Sequence, residues 1–160
     1  MIFVTVGAQM PFDRMVRCVD EWATKQGRRD VVAQIGPTRW RPRSIEWTEF
    51  LSPTQFLEHV KRANVIIAHA GMGSILTALQ FGKPIVIMPR RGDLAETRND
   101  HQLATAARFE GKPGVFVAQD ETELSGMLDR LDSLVAGEPI SEYASPELLN
   151  AIKAFIHDQP

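Results

Sequence analysis

The chain has one cysteine, Cys18, in 160 residues. That excludes a disulfide framework and a thiolate metal cage, and it fits a reducing compartment. Cys18 sits among Met15, Val16, Val19 and Trp22, the setting of a buried helix face rather than a reactive thiol. No apolar run approaches the roughly 18–20 residues that a membrane helix needs. Neither charge dominates. Eighteen basic and 20 acidic side chains leave a net charge of −2, which supplies no electrostatic footprint for nucleic acid. The opening MIFVTVG has no basic segment before its apolar stretch and ends in a glycine turn, so it reads as a first strand and not as a signal peptide. There is no internal repeat, no low-complexity tract and no DxD carboxylate pair.

What is present is an ordinary soluble composition, 44% hydrophobic and 24% charged, in a length that buries a core without staples. Short β-branched runs alternate with segments of helical period. Strands are predicted at 2–6, 31–36, 44–50, 64–68, 84–89 and 114–118. Helices are predicted at 12–26, from Ser52-Pro53 through Val60, at 74–81, at 100–109 and at 121–135. Pro11 suits the first turn of the first helix, and Gly27 its end. This alternation argues a single α/β domain: a mostly parallel six-stranded sheet with helices on both faces. It spans residues 1–136. Residues 137–160 read as a turn-rich linker and a final amphipathic helix, ELLNAIKAFIHD, with Leu148, Leu149, Ile152, Phe155 and Ile156 on one face.

Ligands of open α/β sheets sit beyond the carboxyl ends of the strands. Three loops leave such ends: GAQMP, HAGMGS and RRGDLAETRND. In HAGMGS, Gly71 and Gly73 let the backbone approach an anion, and the amides of the following helix point at it. Ser74 adds a hydroxyl and His69 a ring N–H. This donor set suits a phosphate or diphosphate. The same residues serve equally for a tight strand-to-helix turn with Ser74 as a cap. The spacing is neither GxxxxGK[ST] nor GxGxxG. The third loop is long for a compact α/β unit and ends in Asn99, Asp100, His101 and Gln102, side chains that offer donors and acceptors to a hydroxyl-rich ligand. The plainer alternative is that Asp100 caps its helix and that Arg90, Arg91 and Arg98 are solvated.

HAGMGSILTALQFGKPIVIMP, followed by RNDHQLATA, resembles the C-terminal, nucleotide-sugar-binding half of the inverting family 28 glycosyltransferases of GT-B fold. The opening TVGAQMPFDR also matches that family's start. The likeness covers roughly residues 1–135. It is nearest to the single-half subunits found in the two-component dolichol-pathway UDP-GlcNAc transferase and in bacterial exopolysaccharide synthesis of PssE type. The resemblance implies that His69, Gly71, Gly73 and Ser74 line the diphosphate of a UDP-sugar. It implies that Thr5 and Gly7 face the donor phosphate or the acceptor cleft, and that the backbone at Leu51 reads uracil. Asn99, Asp100, His101 and Gln102 belong to the loop facing the transferred sugar, with contacts from Asp100, His101 and Gln102. Many members carry a ribose-binding glutamate where this chain has Thr77. The threonine offers a hydroxyl without the charge, or is an ordinary helix residue.

The resemblance further implies metal-independent displacement at the anomeric carbon, with no cofactor. Only one GT-B half is present. The expectation is therefore a membrane-anchored partner that binds a lipid-linked acceptor and supplies the base, on the cytoplasmic face. The C-terminal helix either docks on that partner or packs back on its own domain. An arginine of the third loop pairs with the donor's carboxylate if the sugar is glucuronic acid. A non-catalytic UDP-sugar-binding module is the competing reading.

Overall fold

The computed structural model describes residues 1–141 and Asn150. Six short strands form the centre: β1 (Ile2–Thr5), β2 (Val31–Gln34), β3 (Glu46–Thr48), β4 (Val65–His69), β5 (Ile85–Met88) and β6 (Val115–Val117). All pairings are parallel, in the order β3-β2-β1-β4-β5-β6. The strand order reverses between β1 and β4, so the loops leaving these two strands diverge and open a crevice there. Val4 pairs with Ile67 and Thr5 with Ala68 at this seam.

Alternation along the strands divides the core in two. Ile2, Val4, Val6, Ile67, Val86 and Met88 face one side, where α1 (Asp13–Gln26) and α5 (Glu121–Leu128) cover them with Met15, Val19 and Leu124. Phe3, Ile66, Ala68, Ile85 and Ile87 face the other, under α2 (Pro53–Arg62), α3 (Met72–Gln80) and α4 (His101–Phe109). The near-continuous apolar character of β1, β4 and β5 follows from burial on both faces.

The differences from the expected boundaries have local causes. Pro11 lies before α1 rather than in its first turn, because Phe12 is the N-cap. Gly27 ends α1 in the left-handed conformation, with φ of 64°, as expected. α3 starts at Met72, not 74. Gly71 is its extended N-cap, and Gly73 and Ser74 lie inside the first turn, so Ser74 is not the cap. α5 stops at Leu128, and a 3₁₀ turn over Leu131–Ser133 then places Leu131 in the core. The C-terminal amphipathic helix lies outside the described residues. Among those described, no helix is long and apolar enough to cross a membrane.

No helix bridges β2 and β3. Residues 37–45 cross instead as a loop held by Asp20 of α1, whose buried carboxylate accepts from the amides of Arg43 (3.0 Å), Ser44 (2.8 Å) and Ile45 (3.2 Å). Arg17 lies over the Trp40 ring, 4.7 Å from its centre, and clamps the same loop. Asp20→Ala leaves three amides without their acceptor and should cost about 3 kcal/mol of folding stability by urea denaturation. Asp20→Asn keeps an acceptor oxygen and should cost less.

Candidate functional site

The crevice at the carboxyl ends of β1 and β4 is filled by one ring. His69, the last residue of β4, lays its imidazole between two glycines. A Cβ on Gly7 would come within 2.8 Å of Cε1, and a Cβ on Gly71 would collide with Nε2. Gly7 also has φ of 76°, where an L side chain is strained. Both glycines are thus required by the histidine, in addition to the turns they make.

Thr5 and Gln34 set the floor beside this ring. Both are buried, and the Thr5 hydroxyl donates to Gln34 Oε1 at 2.9 Å. The same hydroxyl oxygen accepts from the Gly7 amide at 3.2 Å. Thr5 is committed to shaping the β1–α1 loop rather than free to meet a ligand with its hydroxyl.

α3 leaves the crevice with its N-terminus open. The Gly71 amide is taken by the His69 carbonyl (2.7 Å), and Ile75 is the first to close on the helix, on Gly71 O at 3.2 Å. The amides of Met72, Gly73 and Ser74 lie between them, in the first turn where intrahelical acceptors are missing. No side chain caps this end and no acidic residue occupies the first turn. Around Gly73 there is open space: among the described residues, nothing beyond its chain neighbours and the backbone of its own helix comes within 4 Å of where a Cβ would sit. Nothing in the protein demands glycine there, although glycine in a helix costs about 1 kcal/mol relative to alanine.

Two cavities meet at His69, Gly7 and Gly73. One, of about 500 Å³, is lined by Thr5, Gln34, Leu51, Pro53, Phe56, Leu57, Ser74 and Thr77, and is mostly apolar. The other, of about 390 Å³, is lined by Gln9, Met10, Gly71, Met72, Arg90, Thr97 and Gln102. The structure therefore brings together His69, Thr5, Gly7, Leu51, Gly71, Gly73, Ser74, Thr77 and Gln102. Asn99, Asp100 and His101 are exposed and do not line either cavity. Asp100 does not cap α4; its Oδ1 accepts from the Gly92 amide at 3.1 Å and closes the loop on itself. The Asn99 side chain accepts from the His101 amide at 3.3 Å. Gln102 reaches inward, accepting from the Arg90 amide at 3.1 Å.

Arg90 corrects the reading of a solvated basic stretch. It is 3% exposed and donates from both terminal nitrogens to backbone carbonyls: Nη1 to Pro11 (2.6 Å) and Glu96 (3.2 Å), Nη2 to Val6 (2.7 Å) and Met10 (2.5 Å). Arg91 is paired with Asp93 at the surface (2.6 Å), and Arg98 is exposed. No sequence signal separates Arg90 from Arg91 and Arg98, because its partners are backbone carbonyls, three of them about 80 residues away in the chain. A wider groove, about 930 Å³, runs between α1 and α5 away from the strand ends. Arg14, Arg17 and Lys25 face Glu21, Glu121 and Asp129 in it, so it has no preference for an anion. The Cys18 thiol, half-buried in that groove, is pushed up to about 11 by burial, which disfavours the thiolate. Among the described residues, no group of three side chains could hold a metal ion.

A 3-2-1-4-5-6 parallel sheet with an uncapped helix end at its switch point defines a Rossmann-like α/β domain of the GT-B C-terminal type. Residues 1–147 match the glycosyltransferase family 28 C-terminal domain, and the chain belongs to that family. Its relatives include the UDP-N-acetylglucosamine transferase subunit ALG13 of Homo sapiens, 29% identical over 72% of this chain and 11% of that protein. The subunit of the same name from Eremothecium gossypii is 30% identical over 71% of this chain and 56% of its own length. The chain thus matches only part of each curated relative. The solution structure of ALG13 superposes with a TM-score of 0.60 at 19% identity, covering 98% of this chain and 96% of that one.

Burial holds the His69 imidazole down at about 4, and the positive charge of Arg90 adds to the shift; the Thr5 backbone opposes both. Nδ1 is buried and makes no hydrogen bond to the protein. At neutral pH the ring is uncharged and has one N–H to give. An unfolded histidine titrates near 6.5, so between about pH 6.5 and 4 the unfolded chain binds the extra proton. Stability should be complete above pH 6.5, fall by about 3 kcal/mol on the way to pH 4 through this group, and level off below. Denaturation across this range should show the loss in the wild type and a shallower profile in His69→Gln.

Proposed function

We propose that this chain is the donor-binding, catalytic subunit of a two-component inverting glycosyltransferase. It takes a UDP-sugar and, with a partner, transfers glucose, glucuronic acid or GlcNAc to a lipid-linked acceptor in exopolysaccharide or glycolipid synthesis. The observation that carries the reading is the uncapped α3 N-terminus, with the amides of Met72, Gly73 and Ser74 set between an apolar and a polar cavity. The nucleoside lies in the apolar cavity, with the Leu51 backbone and Phe56 near the base and Thr77 towards the ribose. The diphosphate lies on the helix end, and the sugar beside Gln102 and Thr97. The family and the relatives' names support the same assignment.

Chemistry follows from these donors. The bond between the anomeric carbon and the diphosphate oxygen breaks as the acceptor hydroxyl attacks from the opposite face. Negative charge grows on the leaving diphosphate, where fixed amide dipoles and the His69 N–H meet it. His69 acts as a neutral donor and not as a base, because burial and the charge of Arg90 disfavour the protonated ring that a base would have to become. The base that takes the acceptor's proton comes from the partner. No metal is required, since the leaving group is stabilised by protein dipoles. Phe50, Leu57 and Met72 are large apolar residues exposed around the strand-end face, which suits coverage by the partner's acceptor half. That partner is membrane-anchored, and this chain is peripheral at the cytoplasmic face through it.

Gly73→Ala separates ligand from fold. It should leave stability unchanged or raise it by up to about 1 kcal/mol, yet weaken UDP binding at least tenfold by calorimetry. Unchanged affinity refutes the diphosphate placement. In the wild type, UDP at 100 times its Kd should add about 2.7 kcal/mol, a rise in Tm of about 5–10 °C.

The isolated chain should bind UDP-sugar but transfer nothing to a lipid-linked acceptor until the acceptor-binding subunit is added. Robust transfer by the isolated chain overturns the two-component reading. Binding of UDP with no further effect from any sugar, and no activity with a partner, favours a non-catalytic module.

A further inference from the structure

Arg90 is a desolvated cation with no carboxylate in contact among the described residues. All four hydrogens on its terminal nitrogens go to backbone carbonyls, three of them in the β1–α1 loop. The nearest acid, Glu96, is already held: its carboxylate accepts from Arg14 Nε (2.7 Å) and Nη2 (2.8 Å) and from the Arg91 amide (3.0 Å). Taking a charge out of water is costly when no opposite charge receives it. Arg90 nevertheless lines the polar cavity beside His69, Gly71 and Gly73.

We infer that Arg90 is a positioning residue and the fixed counter-charge of the diphosphate: it holds the Val6–Pro11 loop by its carbonyls and offers its positive field to an anion entering the cavity. This rests on the reading that the cavity takes a nucleoside diphosphate. The guanidinium does not grip the phosphates itself, because its terminal donors are spent. It acts through space and through the loop. Carbonyl oxygens fix its position without neutralising it, so the ligand completes the ion pair. Burial lowers the Arg90 pKa to about 10, with Glu96 pulling the other way, so the group is charged at neutral pH. Arg90 and the His69 ring line the same cavity, and the charge of Arg90 adds to the lowering of the His69 pKa.

The consequence is selectivity by charge: uridine should not feel Arg90, and UDP should. The readout is the ratio of UDP to uridine affinity, by calorimetry on the full chain at fixed low salt. Arg90→Gln should lower that ratio at least tenfold, the effect of a partly buried charge a few ångströms from an anion. Arg90→Lys keeps the charge and should stay within about threefold of the wild type. Glu96→Gln removes the opposing charge and should raise the ratio about two- to threefold, which carries the test if Arg90→Gln does not fold. An equal fall in the lysine and glutamine variants, an unchanged ratio in Arg90→Gln, or no rise in Glu96→Gln overturns the assignment. Wild-type protein that binds no UDP overturns the functional reading on which it rests.

Discussion

One uncharged ring in a narrow crevice sets the terms for everything around it. His69 fits between β1 and β4 only because positions 7 and 71 lack a side chain. Burial beside a cation keeps the imidazole neutral. Gly71 then serves as the extended N-cap that aims α3 outward, and Gly7 begins a loop whose carbonyls Arg90 collects. A larger residue at either glycine would displace the ring, and the ring's displacement would close the space in front of the helix end.

The division of the site into an apolar and a polar side follows from strand alternation. Thr5 and Gln34 lie at the ends of β1 and β2 and pair with each other, so the Thr5 hydroxyl and Gln34 Oε1 are satisfied without water. The wall beyond them comes from α2, whose N-terminus is fixed by Ser52 and Gln55 in a capping box. That cap and Pro53 place Phe56 and Leu57 over the cavity. On the other side the wall is the β5–α4 loop, long and polar because it closes on itself. Asp100 binds the Gly92 amide, Glu96 binds Arg14 of α1, and Ala95 takes a left-handed turn with φ of 55°.

Periodicity made the sheet, its parallel class and the existence of five helices legible, because burial on both faces leaves uninterrupted apolar strands. The HAGMGS segment was legible as the turn from a buried strand into a helix because its residue types are unusual at a strand end. Four things were not. The start of α3 was misplaced because glycine's low helix propensity hides a first turn that tertiary position enforces. Asn99, Asp100 and His101 have ligand-like side chains, but two of them are used within their own loop, which no spacing rule reveals. Arg90 reads as one of several surface arginines, and only the folded arrangement of the Val6, Met10 and Pro11 carbonyls sets it apart. Asp20 is hidden for the same reason: its three amide partners are more than 20 residues away in sequence.

The electrostatic design is one of preorganisation. The groups that would meet an anion directly are amides and a neutral imidazole, none of which must change protonation or orientation when charge arrives. The one full charge is set behind them, fixed by carbonyls and shielded from solvent. A cation at the surface, such as Arg91 with Asp93, is screened and already paired, and contributes little at the cavity. A buried one is screened far less. Under the proposed function, placing Arg90 out of contact also avoids the opposite fault, since a direct guanidinium–diphosphate grip would hold the product after reaction. On the same reading, a site built this way would discriminate by accumulated negative charge, the property that changes most as a bond to a diphosphate breaks.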